Sequence, residues 1–246
     1  MSLDSKVFAV TAGGQGIGLA IARVLASRGA SLSLADINGE TLAQVKAEFE
    51  ANKWPVTVTT LDVRDAGQVN SWIEHTVHTF GRLDGAANVV GVIGRQFGKA
   101  AVTEIEDEDW NFVLGVNVTG TMNSLRAELR HLADGGSIVN ISSNLGSRGE
   151  AGGSAYVTSK HALTGLTRCA AKDFAHRGIR VNTVAPGPTK TPLFHSQVKG
   201  NPPPPDAILG RFGEPDEVAY LIAWLLGPES TYVTGELYRI DGGEFC

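Results

Sequence analysis

The chain has 246 residues, a formal net charge of −5, 42% hydrophobic and 19% charged residues. It can bury a sizeable core as an α/β protein, and its acidic balance argues against a general affinity for nucleic acid or anionic membranes. No run of eighteen apolar residues predicts a transmembrane helix, the apolar run in MSLDSKVFAV is too short for a signal peptide, and Cys169 and Cys246 form no disulfide framework, so a cytoplasmic, reducing setting is expected.

Apolar, strand-like runs alternate with segments of helical spacing. The first, Lys6–Ala12, runs into TAGGQGIG, after which Ile17, Ile21, Val24 and Leu25 recur at three-to-four spacing until Gly29. Further strands are predicted at Ser31–Asp36, Val56–Val63, Leu83–Val89, Ser137–Ser143, Arg180–Ala185 and Glu236–Ile240. After Pro215, one helix face collects Val218, Leu221, Ile222, Leu225 and Leu226 before Gly227-Pro228. Strands apolar throughout, joined by helix-length crossovers, predict a parallel sheet covered on both faces. Right-handed crossovers then favour a doubly wound, Rossmann-like α/β fold of about seven strands, a single domain over 1–246. Residues 188–211, with NPPPP at 201–205, show no strand and are expected to cross the surface as a substrate lid.

Gly14, Gly16 and Gly18 lie between the first strand and the first helix. Glycine lets backbone approach a pyrophosphate, and a helix N-terminus offers N–H donors and partial positive charge. Asp36 ends the second strand eighteen residues after Gly18, where a carboxylate can accept from the adenosine ribose hydroxyls and would repel a 2′-phosphate. Neither Gln15 nor Ile37 supplies a compensating cation, so NAD is expected over NADP. Asp36 also suits the start of the turn Asp-Ile-Asn-Gly. Asp62, in LDV, can cap a turn or contact adenine.

In SAYVTSK, Tyr156 and Lys160 stand one helical turn apart on a shared face. A neighbouring ammonium favours phenolate, which makes the pair a candidate proton donor and acceptor, although an exposed Tyr/Lys face has the same spacing. Ser143 ends the strand SIVNISS at the carboxyl edge where doubly wound folds bind ligands; Ser142 competes for the same role. Asn117, in VNVTG, is either a site amide or a helix-bending residue bonded to backbone.

Taken in order, TAGGQGIG, ANVVG at 87–91, VNVTG, NISS, YVTSK, VAPGPTKTP, GRFGEPDEVA at 210–219 and IDGG at 240–243 resemble the motif set of the short-chain dehydrogenases/reductases, over essentially the whole chain. The resemblance implies that Tyr156 is the general acid/base, that Lys160 lowers its pKa and holds the nicotinamide ribose, that Ser143 orients the substrate oxygen and that Asn117 holds a water in a proton relay. It implies a cofactor site formed by Gly14, Gly16, Ile17, Gly18, Asp36, Asp62, Val63, Asn88, Tyr156, Lys160, Pro186 and Thr189, and a homo-oligomer, tetramer or dimer, paired through long helices. Two positions depart from the family pattern. Ala12 replaces the loop's first glycine and is tolerable with a negative φ; Val89-Val90 replace Asn-Ala and remove an amide that would brace the central strands.

The expected chemistry is hydride transfer between NAD(H) and a secondary alcohol or ketone. Small residues at Gly146, Gly152 and Gly153 suggest room for a cyclic or bulky substrate, with Leu145, Ile93, Gln96, Phe97, Phe194 and His195 as further pocket candidates. Arg95 and Arg148 are candidates for recognising a carboxylate. GAANVVG also resembles loops of fungal secondary-metabolite dehydrogenases. Alternatives are imine reduction or guided cyclisation on the same fold, or a non-catalytic dinucleotide-binding redox sensor. His75 and His78 have no third ligand nearby, so no metal site is expected.

Overall fold

In the computed structural model, which describes residues 2–197, 200, 202 and 205–245, seven parallel strands form one sheet in the order β3-β2-β1-β4-β5-β6-β7. The strands are β1 (Val7–Thr11), β2 (Ser31–Asp36), β3 (Val56–Thr60), β4 (Gly85–Asn88), β5 (Ser137–Ile141), β6 (Arg180–Pro186) and β7 (Leu237–Ile240). The helices are α1 (Gly16–Ser27), α2 (Gly39–Ala51), α3 (Ala66–Phe80), α4 (Asp107–Leu114), α5 (Thr121–His131), α6 (Ser154–Asp173), α7 (Pro192–Gln197) and α8 (Pro215–Leu226). The chain winds outward from β1 through β2 to β3, then returns to β4 on the other side of β1. That reversal opens a crevice at the carboxyl ends of β1 and β4.

The side chains of each strand divide between two cores. On one face Phe8, Val10, Leu32 and Leu34 meet Ile21 and Leu25 of α1, Leu42 and Phe49 of α2, and Ile222 and Leu225 of α8. On the other, Ala9, Ala86, Ile138 and Val181 meet Trp72 and Ile73 of α3, Leu125 and Leu129 of α5, and Ala170 of α6. The small residues of β1 and β4 on this second face let the large side chains of α3 and α5 approach the sheet closely. Local chemistry fixes the helix ends. Asn38 and Asp65 accept from the first-turn amides of α2 and α3, a left-handed Gly81 stops α3, and Glu217 accepts from the Glu214 amide at 2.8 Å at the start of α8.

Several strands differ at their ends from the sequence expectation. β3 stops at Thr60 because Asp62 turns the chain, its carboxylate taking the Arg64 amide at 2.9 Å. β5 stops at Ile141 where Ser143 caps a 3-10 turn, Asn144–Gly146. β6 runs on to Pro186, paired with Ile240. The predicted excursion over 188–211 contains α7, which the sequence reading missed, and Thr189 bridges Gly213. Of the proline run only positions 202 and 205 are among the described residues; Asn201, Pro203 and Pro204 lie outside them, as do Val198 and Lys199. No helix among the described residues is long and apolar enough to cross a membrane.

Candidate active site

Two cavities lie along the carboxyl edge of the sheet. The larger, about 460 Å³, is lined by Asp36, Ile37, Asp62, Val63, Arg64 and Phe112 among others, and the smaller, about 180 Å³, by Ile17, Ser143, Tyr156, Lys160, Pro186 and Thr189 among others. Gly91 and Leu193 line both, so the two form one groove crossing the β1/β4 crevice.

The glycine loop forms the floor of this groove. A Cβ at Gly14 would stand 2.4 Å from Thr41 Oγ1 and 2.9 Å from Asp36 Oδ2, and one at Gly18 would stand 2.1 Å from the Ala12 carbonyl oxygen. Gly18 is therefore required for packing of α1 against the loop, and Gly14 for the approach of Asp36. Gly16 has φ 55, the left-handed region. No side-chain cap occupies the N-terminus of α1. Ala12, Gln15 and Ile17 of this loop line the groove, and the uncapped N-terminus of α1 beside them fits a pyrophosphate. Ala12 has φ 53, against the expectation of a negative value. The chain keeps the glycine conformation without the glycine, at a cost of about 1 kcal/mol.

At one end of the groove Asp36 is nearly buried, with Oδ2 accepting from the Gly14 amide and Oδ1 from the Asn38 amide, each at 3.0 Å. Asp36 starts the turn and also lines the cavity. Asp62 is clamped by Arg64 through Nε at 2.9 Å and Nη2 at 2.5 Å, and this ion pair holds its carboxyl below the ordinary range. Arg64, which lies 5.6 Å above the Phe112 ring, is a cation in this cavity that the sequence reading missed; its position directly after Asp62-Val63 was the available signal.

At the other end, α6 presents Tyr156 and Lys160 to the smaller cavity. Ser143 shares the smaller cavity with the phenol, whereas the Ser142 hydroxyl is taken up donating to the Lys160 carbonyl at 2.7 Å, so of the two serines Ser143 is the one left to act beside Tyr156. Lys160 Nζ donates to the Ile141 carbonyl at 3.0 Å and stands 5.7 Å from the Tyr156 ring centroid. Burial raises the phenol pKa, opposed by the hydrogen bond with Ser143, and burial brings Lys160 down to about 8. The expected lowering of the phenol by Lys160 is therefore not seen, because desolvation outweighs an ammonium that spends its hydrogen bond on backbone.

Two predicted site residues stand behind the groove rather than in it. Asn117 lies in a π turn, Gly115–Gly120, and its amide brackets Val92: Nδ2 donates to the Val92 carbonyl at 2.9 Å and Oδ1 accepts from its amide at 2.8 Å. A further bond to Ser159 Oγ, at 2.9 Å, ties it to α6. Its side chain thus holds the backbone of the groove wall. Asn88 is buried beneath the groove and donates to Glu128 Oε2 at 2.9 Å and Asn140 Oδ1 at 3.0 Å. The amide lost at Val89 is offset by Thr11, whose Oγ1 accepts from the Val89 and Val90 amides at 2.9 and 3.3 Å.

The glycines read as substrate room do not provide it. A Cβ at Gly146 would stand 2.3 Å from Ser142 Oγ, one at Gly152 3.0 Å from Gly98, and one at Gly153 3.1 Å from the Phe97 ring. They let the loops pack. Ile93 and Phe194 do line the smaller cavity, and the Phe97 ring meets Tyr156 edge-on at 5.6 Å. Gln96 is bonded to the Glu106 amide through its side chain, and His195 is exposed with its ring against Phe194. Arg95 is spent on Glu108 and Asp109, and Arg148 on Glu244.

Comparison with known proteins bears on this arrangement. Residues 11–244 match a family model described as enoyl-(acyl carrier protein) reductase. The chain is 47% identical to short-chain dehydrogenase/reductase aba4 of Botryotinia fuckeliana, covering 98% of this chain and 97% of that one. It is 36% identical to cyclohexanol dehydrogenase of an Acinetobacter species, covering 97% and 94%. Among solved structures, a short-chain dehydrogenase from Burkholderia cenocepacia in complex with NADP superposes with a TM-score of 0.89 at 33% identity, covering 99% of both chains. With a family model matched over residues 11–244, sequence likeness over nearly the whole length and the same fold in a solved member, the chain belongs to the short-chain dehydrogenase/reductase family, whose members bind a nicotinamide dinucleotide.

Proposed function

We propose that this protein is an NAD-preferring oxidoreductase that transfers a hydride between the cofactor and a secondary alcohol or ketone carried on a cyclic or bulky apolar skeleton. The observation that carries this reading is the single groove with the Asp36 carboxylate at one end and Ser143, Tyr156 and Lys160 at the other. When bound, the nicotinamide supplies the hydride donor or acceptor at its C4. Gly14, Gly16 and the start of α1 would hold the pyrophosphate, and Asp36 the adenosine ribose. The Burkholderia relative is in complex with NADP, yet here a nearly buried carboxylate stands where a 2′-phosphate would approach.

In reduction, the Tyr156 phenol, kept protonated by burial, donates its proton to the developing alkoxide, and in oxidation its phenolate takes the hydroxyl proton. Ser143 orients the substrate oxygen. Lys160, with Nζ near the catalytic phenol and on the Ile141 carbonyl, holds the nicotinamide ribose. Asn117 keeps the Val92 wall fixed against α6. Val89, Ile93, Leu193 and Phe194 make the rest of the small cavity apolar, which suits an alicyclic or aromatic substrate.

The same reading makes 1–246 one catalytic domain with 188–211 as its lid, α7 overhanging both cavities through Leu193. It also places a second copy of the chain on the apolar groove between α5 and α6, lined by Met122, Leu125, Leu129, Leu166 and Phe174, giving a dimer or tetramer in the cytoplasm. The test is a panel of cyclic alcohols and ketones assayed with NAD and NADH. Turnover with at least one class, lost about a thousandfold in Tyr156→Phe with NADH binding retained, is expected. Turnover that survives Tyr156→Phe unchanged would refute the assigned chemistry.

A further inference from the structure

The segment after β7 passes through IDGG and then reaches the catalytic wall with Glu244, which belongs to none of the motifs. Asp241 Oδ1 accepts from the Gly243 amide at 3.0 Å, and Gly242 and Gly243, with φ 67 and 81, reverse the chain. The reversal carries Glu244 back to the 3-10 turn that follows β5. There Oε2 accepts from Asn144 Nδ2 at 2.8 Å and Oε1 from Arg148 Nη2 at 3.0 Å. The Glu244 side chain is only 10% exposed, and the Arg148 guanidinium lies 4.2 Å above the Phe245 ring. Asn144 Oδ1 in turn accepts from Ser143 Oγ at 3.2 Å, and Ser143 lines the same cavity as Tyr156. The lid is seated on the same segment, with the Leu209 amide donating to the Gly242 carbonyl at 3.0 Å.

A carboxylate only accepts hydrogen bonds, whereas an asparagine amide offers a donor on one side and an acceptor on the other. Glu244 therefore selects one of the two orientations of Asn144, with the NH2 toward itself and the carbonyl toward Ser143. Ser143 has a single hydrogen to give, and in this orientation Asn144 Oδ1 competes for it with the oxygen of Tyr156. We propose that Glu244 is a positioning residue for proton transfer, setting through Asn144 the direction in which the Ser143 hydroxyl points. This rests on the reading of Ser143 and Tyr156 as the proton-transfer pair. The charged groups facing the chain are Arg148 and Asp241 around Glu244, and Lys160 beside the phenol.

The test replaces Glu244 by Ala and follows the Tyr156 phenol by NMR with ¹³Cζ-labelled tyrosine, Tyr156→Phe identifying its signal among the four tyrosines. With the acceptor gone, Asn144 is free to turn and Ser143 to give its hydrogen to Tyr156. The phenol midpoint is then expected to fall by about half a pH unit or more in Glu244→Ala and to stay at the wild-type value in Glu244→Gln, which removes the charge but keeps an acceptor for Asn144. Thermal midpoint and NADH affinity stay at wild-type values, while kcat on any ketone the wild type reduces falls about tenfold. A midpoint that does not move in Glu244→Ala, or that falls equally in Glu244→Gln, overturns the proposal. Wild-type inactivity on every ketone would instead count against the proposed function, and the phenol titration would still decide the role of Glu244.

Discussion

Glu128 is a carboxyl with no exposed surface, on α5 beneath the groove, and it has one protein partner, the Asn88 amide. Glu128 Oε1 and Asn88 Oδ1 have no hydrogen-bond partner among the described residues. Burial pushes its pKa from 4.5 to about 8, so the folded protein holds it as the neutral acid at pH 7 while the unfolded chain ionises it. The folded pKa is raised, so this contribution to stability is complete below about 4.5 and is lost as the pH rises to about 8. At pH 7 the interval above 4.5 is 2.5 pH units, or about 3 kcal/mol of stability lost relative to acid conditions. Glu128→Gln keeps the shape and the acceptor for Asn88 but cannot ionise. Its thermal midpoint should match wild type within about 2 °C at pH 4.5 and exceed it by about 6–12 °C at pH 7, at equal protein concentration. A difference that is the same at both pH values would refute the assignment of a neutral buried acid.

Ala12→Gly removes the left-handed strain at φ 53 but adds freedom to the unfolded chain, so a net gain of about 0.5–1 kcal/mol is expected in urea unfolding; a loss would mean that the Ala12 methyl contributes packing that outweighs the strain. Gly18→Ala places a methyl 2.1 Å from the Ala12 carbonyl oxygen and must displace the loop from α1. NADH binding by calorimetry should fall at least ~30-fold, about 2 kcal/mol, while wild-type affinity in this variant would show that the loop is not the pyrophosphate floor.

The doubly wound order was legible because the central strands are apolar on both faces and the crossovers carry a helical period, as in Ile17, Ile21, Val24 and Leu25. Ser143, Tyr156 and Lys160 were legible as types at fixed spacing, since one turn of helix brings Tyr156 and Lys160 together whatever surrounds them. What the one-dimensional reading could not reach is competition for hydrogen bonds. Asn117 looked free for a water, but its amide is taken by Val92; Lys160 looked aimed at the phenol, but it also serves the Ile141 carbonyl. Backbone sign was equally hidden at Ala12, and packing was hidden at Gly146 and Gly153, where absent side chains admit neighbouring protein atoms. Glu128 and Glu244 carried no periodic signal, because their partners are 40 and 100 residues away in sequence.

The central claim is that the groove binds a nicotinamide dinucleotide with Asp36 choosing the phosphate-free ribose. The most direct measurement is a titration with NADH and NADPH followed by nicotinamide fluorescence, for wild type and Asp36→Ala. The account predicts saturable NADH binding with NADPH weaker by about a hundredfold, ~3 kcal/mol, and a gap that narrows in the variant as the carboxylate that repels the 2′-phosphate is removed. Equal affinity for the two nucleotides in the wild type, or binding of neither, would contradict it.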